Sequence, residues 1–125
     1  MKLRSFPAVL VAEDEPLIRL DAASMLEDEG FPTYEASSAD EALALLERHD
    51  DIGILFTDID MPGAMNGHKL TLVARDRWPD MHIVVASGAI DLESCRFPAD
   101  TVFFPKPYST HQVTRTLRGM VGGAV

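Results

Sequence analysis

Six side chains stand where their types and spacing could do chemistry together. The stretch Ile54 to Gly67, ILFTDIDMPGAMNG, sets Asp58 and Asp60 two positions apart after an apolar run. Glu13 and Asp14 follow a first apolar run, Ser87 ends another beside Gly88, and Lys106 sits between Pro105 and Pro107 after a third. Carboxylates brought within about 4 Å repel by about 4 kcal/mol at an effective dielectric near 20, so such a cluster calls for cations or protons. Lys106 supplies one charge. A hard divalent ion held by carboxylates, a carbonyl and waters supplies the rest, and magnesium suits a site with few protein ligands. A carboxylate nucleophile with a metal, a lysine and a hydroxyl suits phosphoryl transfer, which needs positioning and charge neutralisation more than acid–base groups.

Taken singly, each residue has a plainer explanation. Acidic residues ahead of a helix are favoured there in any case, Ser87-Gly88 could be a turn, and Lys106 could be a surface lysine. The functional reading rests on their convergence, which the surrounding elements must provide. Ala8–Ala12 reads as a buried strand. Residues 16–29 form an amphipathic helix with Pro16 in its first turn and Gly30 as its stop. Pro32–Ala36 is a second strand, and Ser38 with Glu41 is a capping box opening a helix over 39–49. Ile52–Thr57 is a strand apolar on both faces. Residues 67–77 form a helix stopped near Trp78-Pro79, and His82–Ala86 is a fourth strand. A short, irregular fourth helix is expected over 89–95, ended by Pro98. Thr101–Phe104 is a fifth strand, and Ser109 with Gln112 caps a last helix that Gly119 closes.

Five β/α repeats imply a doubly wound parallel sheet with helices on both faces, and ligands bind such sheets beyond the carboxyl ends of the strands. Glu13-Asp14, Asp58, Ser87 and Lys106 all fall at those ends, whereas Glu35-Ala36, ending the second strand, carries no evident function. Period-two geometry does not separate Asp58 from Asp60, because alternate residues of an extended segment share a face. Asp58 is the first polar residue off the buried strand and is therefore the more rigidly held.

The chain's 125 residues suit one domain, with 46% apolar and 25% charged residues. The formal net charge of −9 disfavours nucleic acid or an anionic membrane as partner. No apolar run approaches a membrane span, and the apolar N-terminal stretch runs straight into Glu13-Asp14-Glu15, unlike a signal peptide. The single cysteine, Cys95, fits a reducing cytoplasm and a packing role. His49, His68, His82 and His111 lack metal-ligand spacing and are expected at the surface or at strand edges. Arg75, Arg77, Arg115 and Arg118 are expected on solvated helix faces.

The segments VLVAEDEP, ILFTDIDMPGAMNG, VVASG and FFPKPY, in that order, resemble the receiver domain of two-component response regulators over nearly the whole chain. The resemblance implies a flavodoxin-like sheet in strand order 2-1-3-4-5 and a single receiver domain, 1–125, of the stand-alone type without an output domain. It implies that Asp58 accepts a phosphoryl group. Glu13 and Asp14, with Asp58 and the backbone carbonyl of Asp60, would hold Mg2+ or Mn2+. Ser87 would bind a phosphoryl oxygen, Lys106 would pair with the aspartate or its phosphate, and Phe103 would be the aromatic that changes rotamer. The implied partners are a sensor histidine kinase or a histidine phosphotransfer protein and a downstream protein, with a homodimer left open. The protein would be cytoplasmic and not an enzyme beyond its own phosphorylation and slow dephosphorylation.

Three features depart from the family pattern. The loop after Asp58 has one extra residue between Pro62 and Met65, and Asn66 stands where aspartate is usual, so a bulge absorbed by Gly63 and Gly67 is expected. The fourth helix is short. Phe103 lacks a tyrosine hydroxyl. Two other functions compete. A haloacid-dehalogenase-like phosphatase would use Asp58 and Asp60 as a DxD pair, though its DxD strand normally lies near the start of a longer chain. A phosphate-independent pseudo-receiver would serve as an interaction module only. A flavin-binding domain of similar fold is disfavoured, because the loop after the first strand is acidic and has no phosphate-cradling run.

Overall fold

The computed structural model describes residues 6–59, 61, 65–87 and 97–121, with Ser87 described through its backbone. Nine elements follow one another: β1 (Ala8–Ala12), α1 (Pro16–Asp28), β2 (Thr33–Ala36), α2 (Ala39–Arg48), β3 (Ile52–Asp58), α3 (Gly67–Arg77), β4 (His82–Ser87), β5 (Val102–Pro105) and α4 (Thr110–Met120). The strands pair in parallel in the order β2-β1-β3-β4-β5. This is the flavodoxin-like arrangement that the alternation and the resemblance predict. The expected helix over 89–95, Cys95 and most of the loop expected to bulge after Asp58 lie outside the described residues.

Side chains alternate between two faces along each strand, and each face has its own core. On one, Leu10, Leu55, Ile83 and Val85 pack with Ala42 and Leu46 of α2 and Leu70 and Ala74 of α3. On the other, Val9, Val11, Ile54, Phe56 and Val84 pack with Ala22 and Leu26 of α1 and Val113 and Leu117 of α4. Burial on both faces is the reason the central strands read as continuous apolar runs.

Local chemistry sets most of the boundaries. Glu15 caps α1 ahead of Pro16 by accepting the Leu17 N–H. Gly30, at φ +99°, ends it with a pair of bonds from Gly30 N–H to Glu27 O (3.0 Å) and from Phe31 N–H to Leu26 O (3.0 Å). A side chain would resist that left-handed backbone. Ser38 Oγ accepts the Glu41 N–H at 3.1 Å, and the Glu41 carboxylate reaches back to Ser37 N–H and Oγ, one residue earlier than a standard capping box. One expected stop is corrected. α4 continues through Gly119 to Met120, and Val121 caps it by donating to Leu117 O. Glycine ends a helix through a positive φ, and Gly119 has none.

Candidate functional site

The rim is built from the ends of β1 and β3 and from the turn after β5. The register pairs Ala12 with Thr57 and Asp58 with Ala86, which levels the strand ends. Glu13 extends β1 by one residue, its N–H donating to Ala36 O at 2.9 Å. Asp58 is the last residue of β3. Both are buried, at 5% and 6% exposure, while Asp14 is exposed. The Glu13, Asp14 and Asp58 carboxylates each offer an oxygen within 4.8 Å of the others, a spacing that could hold a metal ion.

Lys106 reaches into this cluster. Its Nζ lies 3.1 Å from Glu13 Oε1 and 3.2 Å from Asp58 Oδ2. Burial pushes the Glu13 carboxyl above its ordinary pKa, and the Asp58 charge adds to that. The Glu15 N–H, 3.1 Å from Glu13 Oε2, and Lys106 work against it. For Lys106, burial acts to lower the pKa, but the bond to Glu13 and the charge of Asp58 outweigh it, so the ammonium is held above its ordinary value. At 4.8 Å two carboxylates repel by about 3.5 kcal/mol at an effective dielectric of 20. One ammonium does not neutralise three carboxylates, so the donor set fits a hard divalent cation: oxygen ligands, high negative charge and one exposed member open to water.

The backbone beside Asp58 is held closely. Thr57 Oγ1 donates to Asp58 O at 2.9 Å, and Gly67 N–H donates to Ile59 O at 3.0 Å. A Cβ at Gly67 would lie 1.8 Å from Asp58 O, so only glycine permits α3 to begin against the end of β3. Asn66, the residue that departs from the family pattern, caps α3 by accepting the Lys69 N–H at 2.9 Å.

The remaining expected site residues are placed less completely. Ser87 ends β4 in register with Pro105, and its side chain lies outside the described residues. Asp60 and Gly63 also lie outside them. Phe103 pairs with Val85, is 37% exposed and meets the Phe97 ring edge-on at 4.9 Å. Phe97 in turn meets His68 at 4.7 Å. His68 and His49, which stacks on Tyr34 at 4.3 Å, are therefore more than bare surface residues.

Sequence reasoning passed over three contributors. Tyr108 lines an open apolar groove with Leu17, Ile18 and Pro107 beside Lys106, and burial pushes its phenol above its ordinary pKa. Its signal was its place directly after Lys106-Pro107. Arg19 donates to Glu13 O at 2.9 Å and pairs with Glu35 Oε1 at 3.2 Å. These are contacts between elements, and no local motif announces them.

Residues 9–117 match the family described as the response regulator receiver domain. The chain belongs to that family. The sensor kinase CckA of Brucella abortus is 34% identical over 117 residues, covering 90% of this chain and 12% of the kinase. The transcriptional regulatory protein PdtaR of Mycobacterium tuberculosis is 34% identical over 103 residues, covering 81% of this chain and half of that protein. The structure of a response regulator receiver protein from Sinorhizobium medicae superposes with a TM-score of 0.85 at 30% identity, covering 99% of this chain and all of that one. The receiver domain of the hybrid histidine kinase CckA gives a TM-score of 0.77 at 25% identity, over 91% of this chain and 98% of that one. The chain spans 12% to 55% of the length of the first three relatives. It is thus a receiver domain of the two-component type, a signalling module, and the match across its length decides against the phosphatase reading of Asp58 and Asp60. No helix among the described residues is long and apolar enough to cross a membrane.

Proposed function

We propose that Asp58 accepts a phosphoryl group from a phosphohistidine of a sensor histidine kinase or a histidine phosphotransfer protein, and that the 125 residues work as one receiver unit. The observation that carries this is Lys106 Nζ bridging Glu13 and Asp58 at 3.1 and 3.2 Å within a three-carboxylate cluster. Glu13, Asp14, Asp58 and the Asp60 carbonyl would hold Mg2+ or Mn2+, which would supply charge neutralisation of the transferring group. A carboxylate oxygen of Asp58 attacks phosphorus. The phosphorus–nitrogen bond breaks, its electron pair leaves with the imidazole, and Asp58 becomes an acyl phosphate. Lys106 orients the carboxylate beforehand and afterwards meets the phosphoryl oxygens, an interaction whose value lies in being preorganised. Water attacking phosphorus later breaks the bond to the Asp58 oxygen, releasing inorganic phosphate and restoring the carboxylate, so the chemistry is on the domain itself and not turnover of a substrate.

The phosphorylated state biases an existing conformational equilibrium. In this reading the Ser87 hydroxyl and Lys106 hold the phosphoryl oxygens, and Phe103, half out of the fold on β5, carries the change to a surface that a downstream protein reads. A cytoplasmic location goes with this reading. The test is intact mass after incubation with Mg2+ and a small-molecule phosphodonor. Wild type should gain one phosphoryl group, lose the gain when the metal is chelated, and Asp58→Asn should gain none. Equal gain in Asp58→Asn would overturn the proposal. No gain by folded wild type would put the phosphate-independent pseudo-receiver in its place.

A further inference from the structure

Arg19 bonds directly to the acidic turn. It stands on the first turn of α1, its own N–H donating to Glu15 O at 2.9 Å. Its side chain is 21% exposed and makes two directed bonds: Nη1 to Glu13 O at 2.9 Å and Nε to Glu35 Oε1 at 3.2 Å. The first bond takes up a backbone carbonyl that the sheet leaves behind, because Glu13 faces β2 and the β1–β2 ladder ends at Ala12 and Ala36. The second anchors the guanidinium to β2, the strand whose Ala36 carbonyl holds the Glu13 N–H at 2.9 Å. Glu13 is therefore fixed at its N–H by β2 and at its carbonyl by α1, and Glu35 ties those two holders together.

Fixing the Glu13 carbonyl fixes the plane of the Glu13–Asp14 peptide. That plane sets the direction in which Asp14 leaves the backbone. We propose that Arg19, seated by Glu35, is a positioning residue for the divalent-cation site, holding the Glu13–Asp14 turn so that both carboxylates converge on Asp58. The inference rests on the metal-site reading given above. It gives Glu35, otherwise without a role at the end of β2, a reason to be acidic. The planar fork of arginine matters, because one ammonium cannot make both bonds in the same geometry.

Charge and position predict opposite results. If Arg19 acted only as a nearby positive charge, removing it would make the site more negative and tighten cation binding. If it positions the turn, removing it weakens binding. Calorimetric titration with Mn2+ should show roughly tenfold weaker binding to Arg19→Gln, the lower end of the range for residues that orient metal ligands. Arg19→Lys, which keeps the charge, should also bind more weakly than wild type. The Mg2+ concentration for half-maximal phosphorylation should rise in parallel, with circular dichroism confirming the fold. Equal or tighter Mn2+ binding by Arg19→Gln overturns the proposal. Should Arg19→Gln not fold, wild-type affinity in Arg19→Lys overturns it equally. Wild type that binds no Mn2+ would overturn the metal site itself, an outcome distinguishable from the failure of Arg19 alone.

Discussion

Burial and the Asp58 charge both push the Glu13 carboxyl towards its protonated form, while the Glu15 N–H and Lys106 pull it back. The net shift is upward from the ordinary value of 4.5, so the folded state holds this proton more tightly than the unfolded chain. The unfolded chain gives up its proton first as pH rises. The stability associated with Glu13 is therefore fully present below its ordinary pKa and is lost as pH rises through the raised one. Thermal melts in chelator should show wild type losing stability across that window, and Glu13→Gln losing less. Parallel pH profiles for the two proteins would contradict this account. At this scale the sequence was informative about residue type and less so about choice. Period two left Asp58 and Asp60 equivalent, and the structure places Asp58 at the last, buried position of β3. Arg19 and Glu35 were not legible, because their pairing joins α1 to β2 across 16 residues.

Among the elements, the junction of β3 with α3 bears most directly on the site. A methyl group at Gly67 would meet the Asp58 carbonyl at 1.8 Å and the Ile59 Cα at 2.8 Å, and both are backbone atoms that cannot rotate away. Gly67→Ala must displace the start of α3 or the end of β3. The expected cost is about 1–3 kcal/mol in urea unfolding, with weaker Mn2+ binding because Asp58 moves with its strand. A change within about 0.5 kcal/mol, the range of an ordinary surface substitution, with unaltered affinity would show that the close approach is not needed. Strand and helix positions were largely readable from periodicity and capping residues. β1 and α3 have the boundaries the sequence predicts, and Ser38, Ser109 and Gly30 mark helix ends as expected. Gly119 misled because composition does not reveal φ. The capping of α3 by Asn66 shows why that residue serves in place of aspartate, since either side chain offers the oxygen that the Lys69 N–H requires.

For the whole molecule, strict alternation of strand and helix was enough to fix a parallel sheet covered on both faces. It did not give the strand order, which came from the family resemblance. The reason is physical: right-handed crossovers limit the topologies, but which neighbour each strand takes depends on packing across the sheet. The observed order turns the chain one way from β1 to β2 and the other way from β3 to β4, opening the crevice between β1 and β3 where the carboxylates gather. The proposed function assigns that site one event, the transfer of a phosphoryl group to Asp58. That event is tested most directly by treating the protein with Mg2+ and a small-molecule phosphodonor, reducing the product with borohydride, and locating the modified residue by peptide mass. The account predicts homoserine at position 58, the reduction product of an aspartyl phosphate, in wild type and in Asp60→Asn. Homoserine at position 60, or at no aspartate in a protein shown to be folded and metal-bound, would contradict it.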